Sequence, residues 1–162
     1  LVSIEMIEAV GHEYLPTFFS TCSNFLKANG KMLIQSITIA DSRYEQYRKG
    51  VDFIQKYIFP GGCLPSIAEM SRHFEKNTDM VIHQINDIGL HYARTLNDWR
   101  LAFEQEWHNL KHLGYSEEFK RLWLFYFSYC EGAFLERVIS THHIVARKPR
   151  YLGTEDENLL DY

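Results

Sequence analysis

The side chains with chemistry in them are few and scattered. Glu8 sits where the apolar stretch Leu1-Val2-Ser3-Ile4 gives way to Gly11-His12-Glu13. A carboxylate at the carboxyl end of a strand can hold a polar ligand or position a base, because open α/β sheets place their sites there. It can equally cap or solvate the helix that follows. Gln35, in Gln35-Ser36-Ile37-Thr38, ends a second apolar run. It can face the same crevice together with backbone groups such as that of Ile37, or it can be a polar strand residue satisfied by its neighbours. Tyr126 lies on an apolar helical stripe, where packing is the ordinary role and its hydroxyl needs a partner. His91 and Tyr92 follow an apolar run directly, again a crevice position.

Metal and thiol chemistry find little support. His108 and His112 share a helical face at i, i+4, but no acidic or cysteine partner accompanies them at zinc spacing. His142 and His143 are adjacent, so on a strand they point to opposite faces and make a poor chelate. Cys22, Cys63 and Cys130 form no C-x-x-C and read as free thiols that pack. The chain also lacks G-x-G-x-x-G, a P-loop, H-E-x-x-H and G-x-S-x-G. On its residues alone it displays no cofactor site.

Elements that would carry these residues alternate along the chain. Residues 11–28 predict a helix, stopped by Asn29-Gly30. Lys31 to Ile39 predicts a buried strand. Tyr44 to Ile58 reads as partly helical and ends at Pro60-Gly61-Gly62. Ser66 with Glu69 has the spacing of a capping box. Asp79 to Ile88 predicts a strand, and Thr95 with Asp98 the start of a helix carrying Trp99, Phe103 and Trp107. Gly114 separates it from a last helix opening at Ser116, with the stripe Phe119, Leu122, Trp123, Tyr126, Phe127, Cys130 and Phe134. Ser140 to Arg147 predicts a final strand, and Gly153 to Tyr162 a loose acidic tail. The order suggests an α/β sheet, with the helical insertion between Asp41 and Ser66 as a lid.

Length and composition fit one domain. The 162 residues are 46% hydrophobic and 15% aromatic, with a formal net charge of −4. That balance argues against a polybasic nucleic-acid module. No apolar run is long enough to span a bilayer. The first residue is Leu, and Leu1 to Ile4 reads as the tail of a strand, so the expectation is a chain that begins inside a fold.

One resemblance ties the pieces together. Phe59-Pro60-Gly61-Gly62-Cys63-Leu64-Pro65-Ser66, His91-Tyr92-Ala93-Arg94-Thr95-Leu96 with Trp99, and Tyr126 with Cys130, Gly132-Ala133-Phe134 and Arg137 occur in order. With Val2 to Glu8, Gly11-His12-Glu13, Phe18-Phe19, Gly30 to Leu33 and Ile37-Thr38, they resemble the cyclopropane-fatty-acid and mycolic-acid cyclopropane synthase family over residues 1–148. The resemblance implies the C-terminal half of a class I (Rossmann-like) methyltransferase fold over 1–150 with a helical lid, the cofactor-binding half being absent, and a flexible tail over 151–162.

It further implies an S-adenosylmethionine-dependent enzyme that adds a methylene to a cis double bond of an unsaturated phospholipid, through a carbocation, with bicarbonate as proton acceptor. Glu8 matches the family's bicarbonate-site glutamate, Ile37 a backbone donor to that anion, and Tyr126 the site tyrosine. Gln35 stands where well-known members carry His. His91, Tyr92 and Phe59 are the candidates for contact with the acyl substrate. A methyl-branching relative and a non-catalytic lipid- or partner-binding half-domain are the competing readings. The implied setting is cytoplasmic, at the inner face of the membrane. A sheet cut near its fourth strand exposes an edge, so self-association is expected, and catalysis by the 162 residues alone is not.

Overall fold

A computed structural model describes residues 1–152; the acidic tail expected from Gly153 lies outside the described residues. Four strands, β1 (Val2–Ile4), β2 (Lys31–Ile39), β3 (Val81–Asp87) and β4 (Ile139–Arg147), form one sheet in the order β1-β2-β4-β3. β1 runs parallel to β2, with Ile4 opposite Gln35. β3 is antiparallel to β4, with Asp87 opposite His142 and an irregularity between Ile82 and Gln84. The helices are α1 (Leu15–Phe25), α2 (Asp41–Tyr47), α3 (Phe53–Tyr57), α4 (Ile67–Asn77), α5 (Gly89–His112) and α6 (Glu117–Leu135). This is the alternating α/β order expected from the sequence.

The chain divides into two compact units, residues 1–87 with those from 142 onward, and residues 88–141. In the first, β2 alternates strictly. Met32, Ile34, Ser36 and Thr38 are buried, while Gln35 and Ile37 belong to the other face. The buried face meets α1 and α4 in a cluster of Ile7, Leu15, Phe18, Phe19, Met32, Ile34, Met70, Phe74, Ile144 and Ala146. Phe19 is its centre, edge-on to Phe18 and Phe74 and stacked on His73. Burial of each such large side chain stabilises by roughly 1.5–3 kcal/mol.

The second unit is the α5–α6 hairpin. Phe103, Trp107, Phe119, Trp123 and Phe127 interleave along it, and Tyr92 stacks on Phe134 at 4.9 Å. Gly114 turns the chain between the helices at φ 95°, a left-handed value that suits glycine, and Ser116 caps α6 by accepting the Phe119 N–H at 3.2 Å.

Two local expectations are corrected. α5 does not start at Thr95; it starts at Gly89. Leu90, Ala93, Arg94 and Leu96 are good helix formers that carry the helix through. The Thr95 hydroxyl donates back to the His91 carbonyl at 3.1 Å, the habit of a threonine in mid-helix. His91 and Tyr92 therefore ride on the first turns of α5 and not on a strand-end loop. The Ser66 cap forms only one half of a box: Ser66 Oγ accepts the Glu69 N–H at 3.2 Å. The Glu69 carboxylate is taken by Arg72 at 2.6 Å and His73 at 3.2 Å.

Gly89 opens α5 because nothing larger fits. A Cβ there would lie 3.1 Å from the Ser140 Cα and closer still to its hydroxyl. Gly89→Ala is expected to lower stability by about 1–3 kcal/mol, the usual cost of overpacking, read as a shift in the urea midpoint with an unchanged slope.

Candidate active site around Glu8

The turn after β1 builds the site. Glu5 takes a left-handed φ of 48°, which costs a non-glycine residue about 1 kcal/mol or more. Its N–H donates to the Gln35 carbonyl at 2.9 Å, which extends the β1–β2 pairing by one rung. The chain then turns through a short helical turn, Ile7–Ala9, that buries Ile7 in the core and carries Glu8 on its first turn. The Glu8 carbonyl is held by the Cys63 N–H at 2.8 Å, so the Phe59–Ser66 segment is pinned to the turn that positions Glu8.

One oxygen of Glu8 is satisfied and the other is not. The Ile37 N–H donates to Oε1 at 2.6 Å. Oε2 is buried without a hydrogen-bond partner. Burial pushes the Glu8 carboxyl up; its own backbone N–H, that of Ile37 and the Ser36 hydroxyl pull it down less strongly, and the nearby charge of Glu5 adds to the rise. A raised value in the fold means that ionised Glu8 costs stability at neutral pH, and that this cost vanishes as the pH falls through the raised value to below the ordinary carboxylate range. Glu8→Gln mimics the protonated group. It is therefore expected to be more stable than the parent at neutral pH, with the gap closing as the pH is lowered, in unfolding curves measured across that window.

Gln35 is the hub between strands. Its Nε2 donates to Glu5 Oε1 at 2.9 Å, and its Oε1 lies 2.8 Å from His143 Nε2 on β4. His142, on the opposite face, meets Thr38 at 2.9 Å, and burial pushes its imidazole down. The adjacent histidines do point apart, as strand geometry requires.

A second polar cluster lies under the segment read as a lid. Tyr44 of α2 is buried, its hydroxyl 2.6 Å from His12 Nδ1, and burial pushes the phenol well up. His12 Nδ1 is 3.9 Å from the buried Glu69 carboxylate. The Asp41 carboxylate accepts the Ala68 N–H at 2.8 Å. These bonds tie α2 to α4.

The structure thus brings Glu8, Gln35 and Ile37 together in the first unit. Phe59 belongs to that unit and is 56% exposed. Tyr126, His91 and Tyr92 belong to the second, Tyr126 edge-on to Trp123 at 5.3 Å. The bonds of Glu5 and His143 to Gln35, and the His12–Tyr44–Glu69 cluster, are contacts the sequence did not foresee; from sequence, His143 is weighed only as a metal ligand. Among the described residues no group of three or more His, Cys, Asp or Glu is arranged to hold a metal ion. No helix among them is long and apolar enough to cross a membrane.

A family description, mycolic acid cyclopropane synthetase, matches residues 1–144. The chain belongs to the mycolic acid cyclopropane synthetase family. Within that family, it is 40% identical over 134 residues to tuberculostearic acid methyltransferase UfaA1 of Mycobacterium tuberculosis, covering 83% of this chain and 31% of the relative. It is 34% identical over 146 residues to the cyclopropane-fatty-acyl-phospholipid synthase of Escherichia coli, covering 90% and 36%. Among solved structures, the mycolic acid cyclopropane synthase CmaA1 complexed with SAH and CTAB aligns with a TM-score of 0.80 and 30% identity, over 91% of this chain and 54% of that one. The fold is the mixed α/β fold of the C-terminal part of such synthases. The chain spans about a third of the curated relatives' length and about half of the solved one.

Proposed function

We propose that the protein carrying these residues alkylates a cis double bond of an unsaturated phospholipid acyl chain at a membrane surface, using S-adenosylmethionine, and closes a cyclopropane ring. The observation that carries the reading is Glu8 Oε2, a buried carboxylate oxygen with no partner, in a family whose members bear cyclopropane-synthase names. A buried carboxylate oxygen left unpaired in a native fold points to a catalytic role or to a bound water, ion or ligand.

S-adenosylmethionine, when bound, supplies the electrophilic one-carbon unit; the solved complex of CmaA1 with SAH supports its place in the family. The alkylated acyl chain is then a carbocation whose new methyl bears a very acidic proton. A weak, well-placed acceptor suffices for it. Bicarbonate fits the residues present. Glu8 Oε2 is an open acceptor whose raised pKa favours sharing a proton with an anion, and Gln35 keeps an N–H to spare after serving Glu5. Ile37 acts through Glu8, because its N–H is committed to Oε1. Glu8 therefore holds the proton-accepting group and can share the proton at Oε2. By the family resemblance Tyr126 is assigned to the bicarbonate site, and His91, Tyr92 and Phe59 to contact with the acyl chain, which the aromatic content suits. The exposed edge strand β1, with Val2 66% and Ile4 60% exposed, supports self-association of these residues in isolation, to be read by light scattering.

The name of the relative at 40% identity favours a second reading, a methyltransferase that stops at a branched product. Mass spectrometry of lipid incubated with the full-length protein and methyl-labelled donor separates the two. A product heavier by one methylene that resists hydrogenation is the ring. The same mass with a double bond that still hydrogenates is the branch, and no label in lipid overturns both. Titration of the 162 residues with S-adenosylhomocysteine is expected to give no binding heat, since the chain contains no glycine-rich phosphate or nucleotide turn.

A further inference from the structure

We propose that His143 is a positioning residue, acting from the neighbouring strand to fix the side-chain amide of Gln35 so that an N–H donor is held beside Glu8. This rests on the reading of Glu8 as the centre of the site. The observation is a chain of hydrogen bonds across three strands: Glu5 Oε1 to Gln35 Nε2 at 2.9 Å, then Gln35 Oε1 to His143 Nε2 at 2.8 Å.

The direction of each bond follows from chemistry. The two ends of a glutamine amide are normally hard to tell apart. A carboxylate only accepts, so the amide nitrogen must face Glu5. The amide oxygen then faces His143, and an amide oxygen also only accepts. His143 must therefore carry a proton on Nε2, and its neutral form is the Nε2–H tautomer. A residue at the end of β1 thus sets the tautomer of one on β4 through the glutamine between them.

A primary amide has two N–H groups. One serves Glu5; the other has no partner among the described residues. Glu5 is close enough to Glu8 for its charge to raise the Glu8 carboxyl, and the Ile37 N–H that holds Glu8 lies two residues along the same strand from Gln35. The spare N–H is a donor on the strand whose Ile37 N–H holds Glu8. A small anion that carries a proton, able to donate to Oε2 and accept from Gln35, is the ligand class this pairing suits.

Glu5 shows that the arrangement is held under strain. It adopts a left-handed backbone at φ 48° and grips Gln35 twice, by backbone N–H to carbonyl and by carboxylate to amide. Strained residues persist where their surroundings over-determine them. With Glu5 fixed, His143 removes the remaining rotation of the amide.

Nitrogen NMR on the 162-residue chain tests the geometry. The expected result is a His143 that carries its proton on Nε2, and Gln35 side-chain amide shifts that move toward those of a free glutamine in His143→Ala. An Nδ1–H tautomer overturns the proposal. Kinetics of the full-length protein test the role. His143→Ala and His143→Phe are expected to lower kcat for lipid about tenfold or more, as misplacing a site group does, with KM for lipid unchanged. His143→Gln, which restores an N–H donor, is expected to recover most of it. Equal loss in all three variants, or no loss in His143→Ala, overturns the positioning role. A wild-type protein inactive on lipid overturns the functional reading instead, and the NMR result then decides the proposal alone.

Discussion

Glu8→Gln in the full-length protein is expected to cut lipid alkylation by on the order of 10²–10⁴-fold, the range that a positioned proton-transfer group supplies. The substitution keeps the shape and an oxygen to accept the Ile37 N–H, which now spans 2.6 Å to Oε1. It removes only the capacity of the buried, unpaired Oε2 to take or share a proton. The fold is not the casualty, because a neutral side chain is easier to bury there than a carboxylate that burial already opposes. Loss of activity together with unchanged or raised thermal stability is the signature. Labelled fatty acids released from vesicles measure the first and a melting curve the second. Activity within a few-fold of the parent would remove Glu8 from the chemistry.

Phe19→Ala should be the most damaging single change to the fold. Phe19 is 1% exposed. Its ring meets Phe74 edge-on at 4.8 Å, Phe18 at 5.4 Å, and stacks on His73 at 5.5 Å. Truncation loses the transfer free energy of the ring, leaves a cavity between α1 and α4, and strips three aromatic contacts. The expected loss is about 3–5 kcal/mol, a large part of the stability of an ordinary domain. Denaturant unfolding of the 162-residue chain measures it, and a loss under about 1 kcal/mol would show that the cluster collapses onto the gap.

Much of this was legible from local patterns. The short apolar run from Lys31 to Ile39 marked β2, and Ser116 with the aromatic stripe marked α6. Glu8 could be placed just past a strand end because the site rule for open sheets is local; Gln35, expected at the end of β2, instead lies at its middle, opposite the end of β1. What was illegible depended on partners distant in sequence. The start of α5 at Gly89 is fixed by Ser140, which no nearby residue announces. Glu69 looked like half of a capping box, yet its carboxylate is spent on Arg72 and His73. His143 was rightly read as a poor chelate, but its partner Gln35 is set by the β2–β4 pairing, which the sequence order hides.

The pairing of Asp87 with His142 has a consequence for how this chain can vary. The polypeptide leaves the sheet at the end of β3 and re-enters it on β4, so the α5–α6 excursion up to Val138 is, topologically, the loop of one oversized β-hairpin. Such an excursion can be lengthened, shortened or exchanged wholesale while β3 and β4 keep their register. The aromatic hairpin can therefore change in length and sequence while the unit that carries Glu8 is inherited unchanged.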